Sequence, residues 1–320
     1  MTAAQRPVSQ AKPCRVLSLD GGGAKGFYTL GVLKEAEAML GSPLAGHFDL
    51  IFGTSTGAII AALLGLGRTV DEVHDLYRKH VVKVMKAKSR SDKSAALGAL
   101  AKEVFGVAKF TDMKTGVGIV TTNWVLQKPM IFKSLPVQAH GMKASFTPGF
   151  GCTVAEAVVA SASAFPFFTR QTVKTSQGDT VELVDGGFCA NNPTLYAIAE
   201  ATEALGRTRS NIRVVSVGVG VYPKPPVRIM SKGWWGKLLV GADLIDKTFE
   251  INTQSMDQLR TILFSDVPSV RVCETFSEPE MATDLFEHDL KKLNVLRQRG
   301  RDSFARHEGE LRRLLGAATS

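Results

Sequence analysis

Three strand-like segments of this chain each run straight into a glycine-bearing turn. Arg15–Asp20 (RVLSLD) leads into Gly-Gly-Gly-Ala-Lys-Gly at 21–26, and Phe48–Phe52 (FDLIF) leads into Gly-Thr-Ser-Thr-Gly at 53–57. Val181–Val184 (VELV) leads into Asp185-Gly-Gly. Helical patterns follow the first two turns, over Ala24–Leu40 and Ala58–Leu66. Strands that alternate with helices in this way imply a parallel sheet covered on both faces. In such sheets, functional groups collect at the carboxyl ends of the strands. The expected fold class is α/β, with a mostly parallel sheet, helices on both faces and a helical C-terminal extension.

The remaining pattern fits that plan. Helices are expected at Val70–Lys88, Ala95–Phe105, Val154–Ser163, Pro193–Leu205, Leu238–Leu263 and Met281–Leu315. Further strands are expected at Val117–Thr122, Pro129–Lys133, Ile212–Val217 and Val270–Cys273. Pro223, Pro225 and Pro226 mark Val221–Lys237 as irregular. This divides the chain into a flexible tail (1–13), a catalytic core (14–222) and a C-terminal part (223–320) packed on it. Leu50–Gly67 carries no charge and approaches the length of a membrane span. Its Gly-Thr-Ser-Thr-Gly centre makes it a strand, a turn and a helix of a folded core instead. With 320 residues, 44% hydrophobic and 22% charged, the chain can bury a core without disulfides or metals. The 4 cysteines are widely spaced and suggest neither a zinc site nor a disulfide framework, so a cytoplasmic setting is expected.

Each turn has a chemical reading. In Gly53-x-Ser55-x-Gly57 the serine fits a nucleophile elbow, where a sharp strand-to-helix turn crowds the backbone and small neighbours relieve it. A tightly packed corner is the bland alternative. Gly21-x-Gly23-x-x-Gly26 formally matches a dinucleotide fingerprint, but the next strand ends in Gly53-Thr-Ser-Thr-Gly57 instead of an acidic residue. What remains is an anion-binding turn, with the N–H groups of Gly21, Gly22 and Gly23 aimed at a developing oxyanion. Asp20 precedes this turn. Lys25 either adds positive charge or is solvated at the helix start. Asp185, followed by Gly186 and Gly187, could take a proton from Ser55, although Asp-Gly-Gly alone is often only a turn. Asn191 and Asn192 look like a helix N-cap and its neighbour. A Ser…Asp…His order would need His288, which lies between Glu287 and Asp289 and suits a charged helix surface better.

Taken in order and spacing, the three turns resemble the patatin-like phospholipase family. Ala-Ser-Ala-Ser-Ala-Phe-Pro-Phe-Phe (160–168) and Asn191-Asn-Pro resemble further blocks of that family, and the likeness covers roughly 15–220. The resemblance implies an α/β-hydrolase-related fold and cleavage of fatty acyl esters of membrane lipids. It implies a Ser55–Asp185 dyad without histidine, Gly21–Gly23 as oxyanion hole, and no metal or other cofactor. The segment 252–259 (NTQSMDQL), with Phe-Ser-Asp-Val-Pro after it, is similar to bacterial patatin-like effectors of antiphage defence. Those are switched on by cyclic oligonucleotides.

The formal charge of +9 asks for an anionic partner. Lys79, Lys83, Lys86, Lys88, Arg90 and Lys93 form a basic run suited to headgroups or to a solvated helix face. Trp234 and Trp235, flanked by Lys232 and Lys237, suit a membrane interface, a core or base stacking. The 79–93 run and the Lys224–Lys237 segment are also candidate contacts for a cyclic nucleotide. The expected partners are a membrane phospholipid, met peripherally at the inner face of the membrane, and a phosphate-bearing activator. No bulk nucleic acid is expected as a partner, and a homo-oligomer stays open. The alternatives are a non-catalytic binding module on this fold and a serine esterase for soluble substrates.

Overall fold

The structure, a computed structural model, describes residues 12–139, 146–225 and 234–317, with backbone alone over 234–243. Residues 1–11 of the expected tail 1–13 lie outside the described residues. In chain order the elements are β1 (Cys14–Leu19), α1 (Gly26–Leu40), β2 (Leu50–Thr54), α2 (Thr56–Gly65), α3 (Val70–Lys86) and α4 (Arg90–Phe105). Next come β3 (Gly116–Asn123), β4 (Lys128–Lys133), α5 (Val154–Ser161), β5 (Gln171–Lys174) and β6 (Thr180–Asp185). The chain continues through α6 (Gly187–Ala190), α7 (Thr194–Ala199), β7 (Ile212–Val217), α8 (Trp234–Leu263), β8 (Ser269–Val272) and α9 (Leu290–Leu315).

The eight strands of the described residues form one sheet in the order β5-β6-β3-β2-β1-β7-β8, with β4 also paired to β3. The stretch β3-β2-β1-β7-β8 is parallel. β4, β6 and β5 join antiparallel, so the sheet is mixed. Alternation along the strands sorts side chains to two cores. Leu17, Leu19 and Ile51 bury against one set of helices, while Val16, Leu50 and Phe52 bury with Ala197 and Ile198 of α7 on the other face. Each such fully buried Leu or Phe contributes roughly 1.5–3 kcal/mol. The uncharged stretch 50–67 is β2 plus α2, and no helix of the described residues is long and apolar enough to cross a membrane.

Two of the ties between the C-terminal part and the core are made by backbone. β8 extends the sheet beside β7, and α9 crosses α1 backbone to backbone. A Cβ on Gly31 would stand 2.0 Å from the Arg297 carbonyl, and one on Gly300 would stand 2.0 Å from the Tyr28 carbonyl. Glycine at both positions is what lets these helices touch.

Several boundaries differ from the sequence expectation. α4 starts at Arg90, earlier than expected, because Ser89 caps it through the Asp92 N–H. α8 starts at Trp234, inside the stretch expected to be irregular. α9 starts at Leu290, where Asp289 caps the Lys291 N–H, so 282–289 is a loop and His288 is not helical. α7 begins after Pro193, with Asn192 Oδ1 accepting from the Thr194 N–H at 3.0 Å. The strand β5 was not expected at all.

Candidate active site

Ser55 occupies the turn between β2 and α2 with φ 54° and ψ −117°, a strained conformation for a non-glycine residue. The crowding there is concrete. A Cβ on Gly53 would lie 2.2 Å from the Gly57 carbonyl, and a Cβ on Gly57 would lie 2.2 Å from the Leu19 carbonyl. The Ser55 N–H donates to Ser161 Oγ at 2.9 Å, and Ser161 Oγ donates to the Val120 carbonyl at 2.6 Å. This ties the elbow to α5 and β3.

Asp185 reaches Ser55 because of how β3 is shared. A strand has two edges, and β4 takes one of them along Gly118–Asn123. On the other edge β2 pairs up to Thr54↔Val120, and β6, running the opposite way, pairs from Thr121↔Asp185. The carboxyl ends of β2 and β6 therefore meet head to head on one edge. Ser55 Oγ donates to Asp185 Oδ2 at 2.7 Å, and the Gly187 N–H donates to Asp185 Oδ1 at 2.7 Å. Asp185 is fully buried, and burial pushes its carboxyl up to about 7 against those two hydrogen bonds.

The glycine turn lies beside this pair. The Gly21 N–H is taken by the Asn191 carbonyl at 2.9 Å, which removes Gly21 from the expected set of three free donors. The N–H groups of Gly22 and Gly23 meet no acceptor among the described residues, and both glycines line the cavity at Ser55. Two hydroxyls hold the Gly23 carbonyl, Thr56 Oγ1 at 2.7 Å and Tyr77 Oη at 2.9 Å. Asn191 is no N-cap. Its Nδ2 donates to the Gly21 carbonyl at 3.3 Å and to Thr253 Oγ1 at 2.8 Å, and its N–H donates to Asn252 Oδ1 at 2.8 Å. The 252–259 segment thus braces this turn. Asp20 is buried against Arg271 at 2.7 Å, its carboxyl pushed up to about 6 by burial despite that charge. Arg271 also lies 3.8 Å from Asp257.

The cavity at Ser55 and Asp185 is apolar apart from these groups. Ile59, Val81, Leu97 and Phe168 form its core-side wall, and Phe249, Leu285 and Phe286 close it from the C-terminal part. Its volume is about 40 Å³, far below the roughly 300–1,000 Å³ of ordinary ligand pockets.

The other expected residues fall elsewhere. Lys25 is neither solvated nor at the Ser55 cavity; it is 9% exposed and lies 3.7 Å from Asp246. His288 is exposed, with Nδ1 3.1 Å from the Phe286 carbonyl, while both Asp185 oxygens are engaged by Ser55 and Gly187. In the basic run, Lys79 pairs with Glu103 at 2.6 Å. Lys93 is buried, with Nζ 4.7 Å above the Phe286 ring. Lys83, Lys86 and Lys88 are exposed, as is Arg90, which lies over the Phe165 ring at 5.3 Å. Lys224 pairs with Asp246 at 3.2 Å. The side chains of Trp234 and Trp235, and residues 226–233, lie outside the described residues. Thr56, Tyr77 and Arg271 position the site and were not singled out from sequence.

The patatin-like phospholipase family model matches residues 17–198, which hold the elbow, the glycine turn and Asp185. The chain belongs to that family. The enzyme class and fold expected from the three turns are met with it. A cUMP-AMP-activated phospholipase of Escherichia coli is 59% identical over 302 residues, covering 94% of each chain. A cGAMP-activated phospholipase of Vibrio cholerae is 28% identical, covering 69% of this chain and 70% of its own. Among solved structures, VipD of Legionella pneumophila aligns over 95% of this patatin-like chain and 67% of its own, at 13% identity and a TM-score of 0.46.

Proposed function

We propose that this protein is a serine lipid acyl hydrolase that cleaves fatty acyl esters of membrane phospholipids, switched on by a cyclic dinucleotide in defence against phage. The observation that carries the chemistry is the 2.7 Å contact between Ser55 Oγ and a buried Asp185 at an apolar cavity. Asp185 takes the Ser55 proton as Oγ attacks the ester carbonyl. The Gly22 and Gly23 N–H groups stabilise the oxyanion, each such donor being worth about 10²–10³ in rate. Asp185 then returns the proton to the departing lysolipid alcohol. Water, deprotonated by the same carboxylate, then attacks the acyl-serine; the fatty acid leaves and Asp185 hands the proton back to Ser55 Oγ.

Two observations support regulation. The E. coli relative is named for activation by cUMP-AMP, and cUMP-AMP is accordingly the proposed activator here. The cavity also has to widen before an acyl chain can enter, and the Phe249, Leu285 and Phe286 wall is where a ligand of the C-terminal part would act. The proposed place of action is the inner membrane face, reached from the cytoplasm, with exposed Lys83, Lys86 and Lys88 as cationic contacts. The test is a fluorophosphonate probe with cUMP-AMP present. Wild type is expected to be labelled and Ser55→Ala not. Equal labelling, or none in wild type, sinks the nucleophile assignment.

A further inference from the structure

The β3–β4 hairpin ends in an unusual turn. Its register closes at Asn123↔Lys128, leaving Trp124-Val125-Leu126-Gln127 as the tip. Turns of this kind are normally polar, and three consecutive exposed apolar residues ask for a functional reason. Trp124 is 36% exposed, Val125 68% and Leu126 60%. The tip is nonetheless firmly held. Asn123 Oδ1 accepts from the Leu126 N–H at 2.9 Å, and the Trp124 N–H donates to the Glu182 carbonyl at 2.9 Å.

Cations surround the tip. Arg170 lies over the Trp124 ring at 5.7 Å and over Phe165 at 5.5 Å, while also pairing with Glu182 at 3.3 Å. Arg90 lies over the same Phe165 ring at 5.3 Å. Lys128 follows the tip, and no acid occurs in 124–133. The tip also borders the site. Thr121 stands opposite Asp185, and Trp124 lies three residues further on, just past the end of β3, about 10 Å along the chain. Rings connect the two, from Trp124 to Phe188 (6.4 Å) and from Phe188 to Phe249 (5.1 Å) at the cavity wall.

We infer that this tip, with its collar of Arg90, Arg170 and Lys128, docks the enzyme on an anionic phospholipid surface; the inference rests on the lipid hydrolase reading. Trp and short aliphatic side chains suit the headgroup–acyl boundary, and the cations suit anionic headgroups. The tip offers three exposed apolar side chains, whereas a stable protein interface enlists roughly 20–30 residues a side. Its place beside the cavity brings the ester of a surface lipid to Ser55.

The test uses full-length Ser55→Ala protein with cUMP-AMP, so that vesicles stay intact, and compares it with the same protein carrying Val125→Glu and Leu126→Glu. Sedimentation with phosphatidylcholine vesicles, with and without phosphatidylglycerol, reads the partition. The parent is expected to prefer the anionic vesicles, and the tip variant to lose about ten-fold or more in partition. The gentler Val125→Ser/Leu126→Ser pair should lose in the same direction. In the Ser55 background, hydrolysis of a soluble butyrate ester and fluorophosphonate labelling should be unchanged by either pair. Unchanged partition, a parent that does not bind vesicles, or an equal loss of soluble-ester activity overturns the inference. So does a change in sedimentation coefficient without a change in vesicle binding, which would make the tip an interface between copies. Because partition needs no catalysis, failure of Ser55 labelling would count against the hydrolase reading alone.

Discussion

Asp185 at about 7 sits where a general base is most responsive to pH. The base form gains as pH rises, so kcat/KM for a soluble ester is expected to climb through about pH 7 and level off above it. A flat profile from pH 5 to pH 9 would count against Asp185 as base. Stability runs the other way. A carboxyl whose folded pKa is raised stabilises the fold fully below its unfolded value, and that contribution is lost as pH rises through about 7. Asp185→Asn is therefore expected to be inactive yet to melt higher than wild type at pH 8, with the gap closing toward pH 5. His288→Ala is expected to keep most activity, because neither Asp185 oxygen depends on it. A collapse of kcat in a folded His288→Ala protein would restore a triad. At this scale the meeting of Ser55 with Asp185 was legible because each sits in a turn with its own glycine signature. Tyr77 was not, since its hydroxyl serves Gly23 from 54 residues away while its ring reads as one more apolar position of a helix.

Among elements, the C-terminal part holds the glycine turn in place by charge. Arg271 of β8 reaches Asp20 just after β1, and both side chains are largely buried (14% and 2% exposed). Arg271→Met would leave that carboxylate unpaired, and a loss of about 3–5 kcal/mol in urea unfolding at pH 8 is expected. Adding Asp20→Asn should recover part of it, whereas an additive loss in the double variant would mean the two residues do not act as a pair. The strands that carry the turns were readable from apolar runs and breakers. β5 was not, because it is four residues long and only Val173 is buried. The expected helix over Met281–Leu315 was too long because Leu285 and Phe286 continue an apolar pattern. They serve the cavity wall from a loop, and the cap at Asp289 decides the start.

For the molecule as a whole, the proposed activation would reach the chemistry through the C-terminal residues on the cavity. Phe286 packs on Phe167 at 4.9 Å and under Lys93 Nζ at 4.7 Å. Phe286→Ala is expected to raise unstimulated hydrolysis of a short soluble ester several-fold and to shrink the response to cUMP-AMP. Unchanged basal turnover would place the closure elsewhere. This long-range wiring was hidden in the sequence, since a wall built from 249, 285 and 286 shows no local pattern around Ser55. The meeting of two strand ends on one edge of β3 also bears on biogenesis. The proposed nucleophile and base are 130 residues apart in the chain, and β6 is synthesised after β2, β3 and β4. A nascent chain that has emerged through β4 carries the serine without its partner, so a ribosome-bound or truncated product cannot attack the membrane of the cell that makes it.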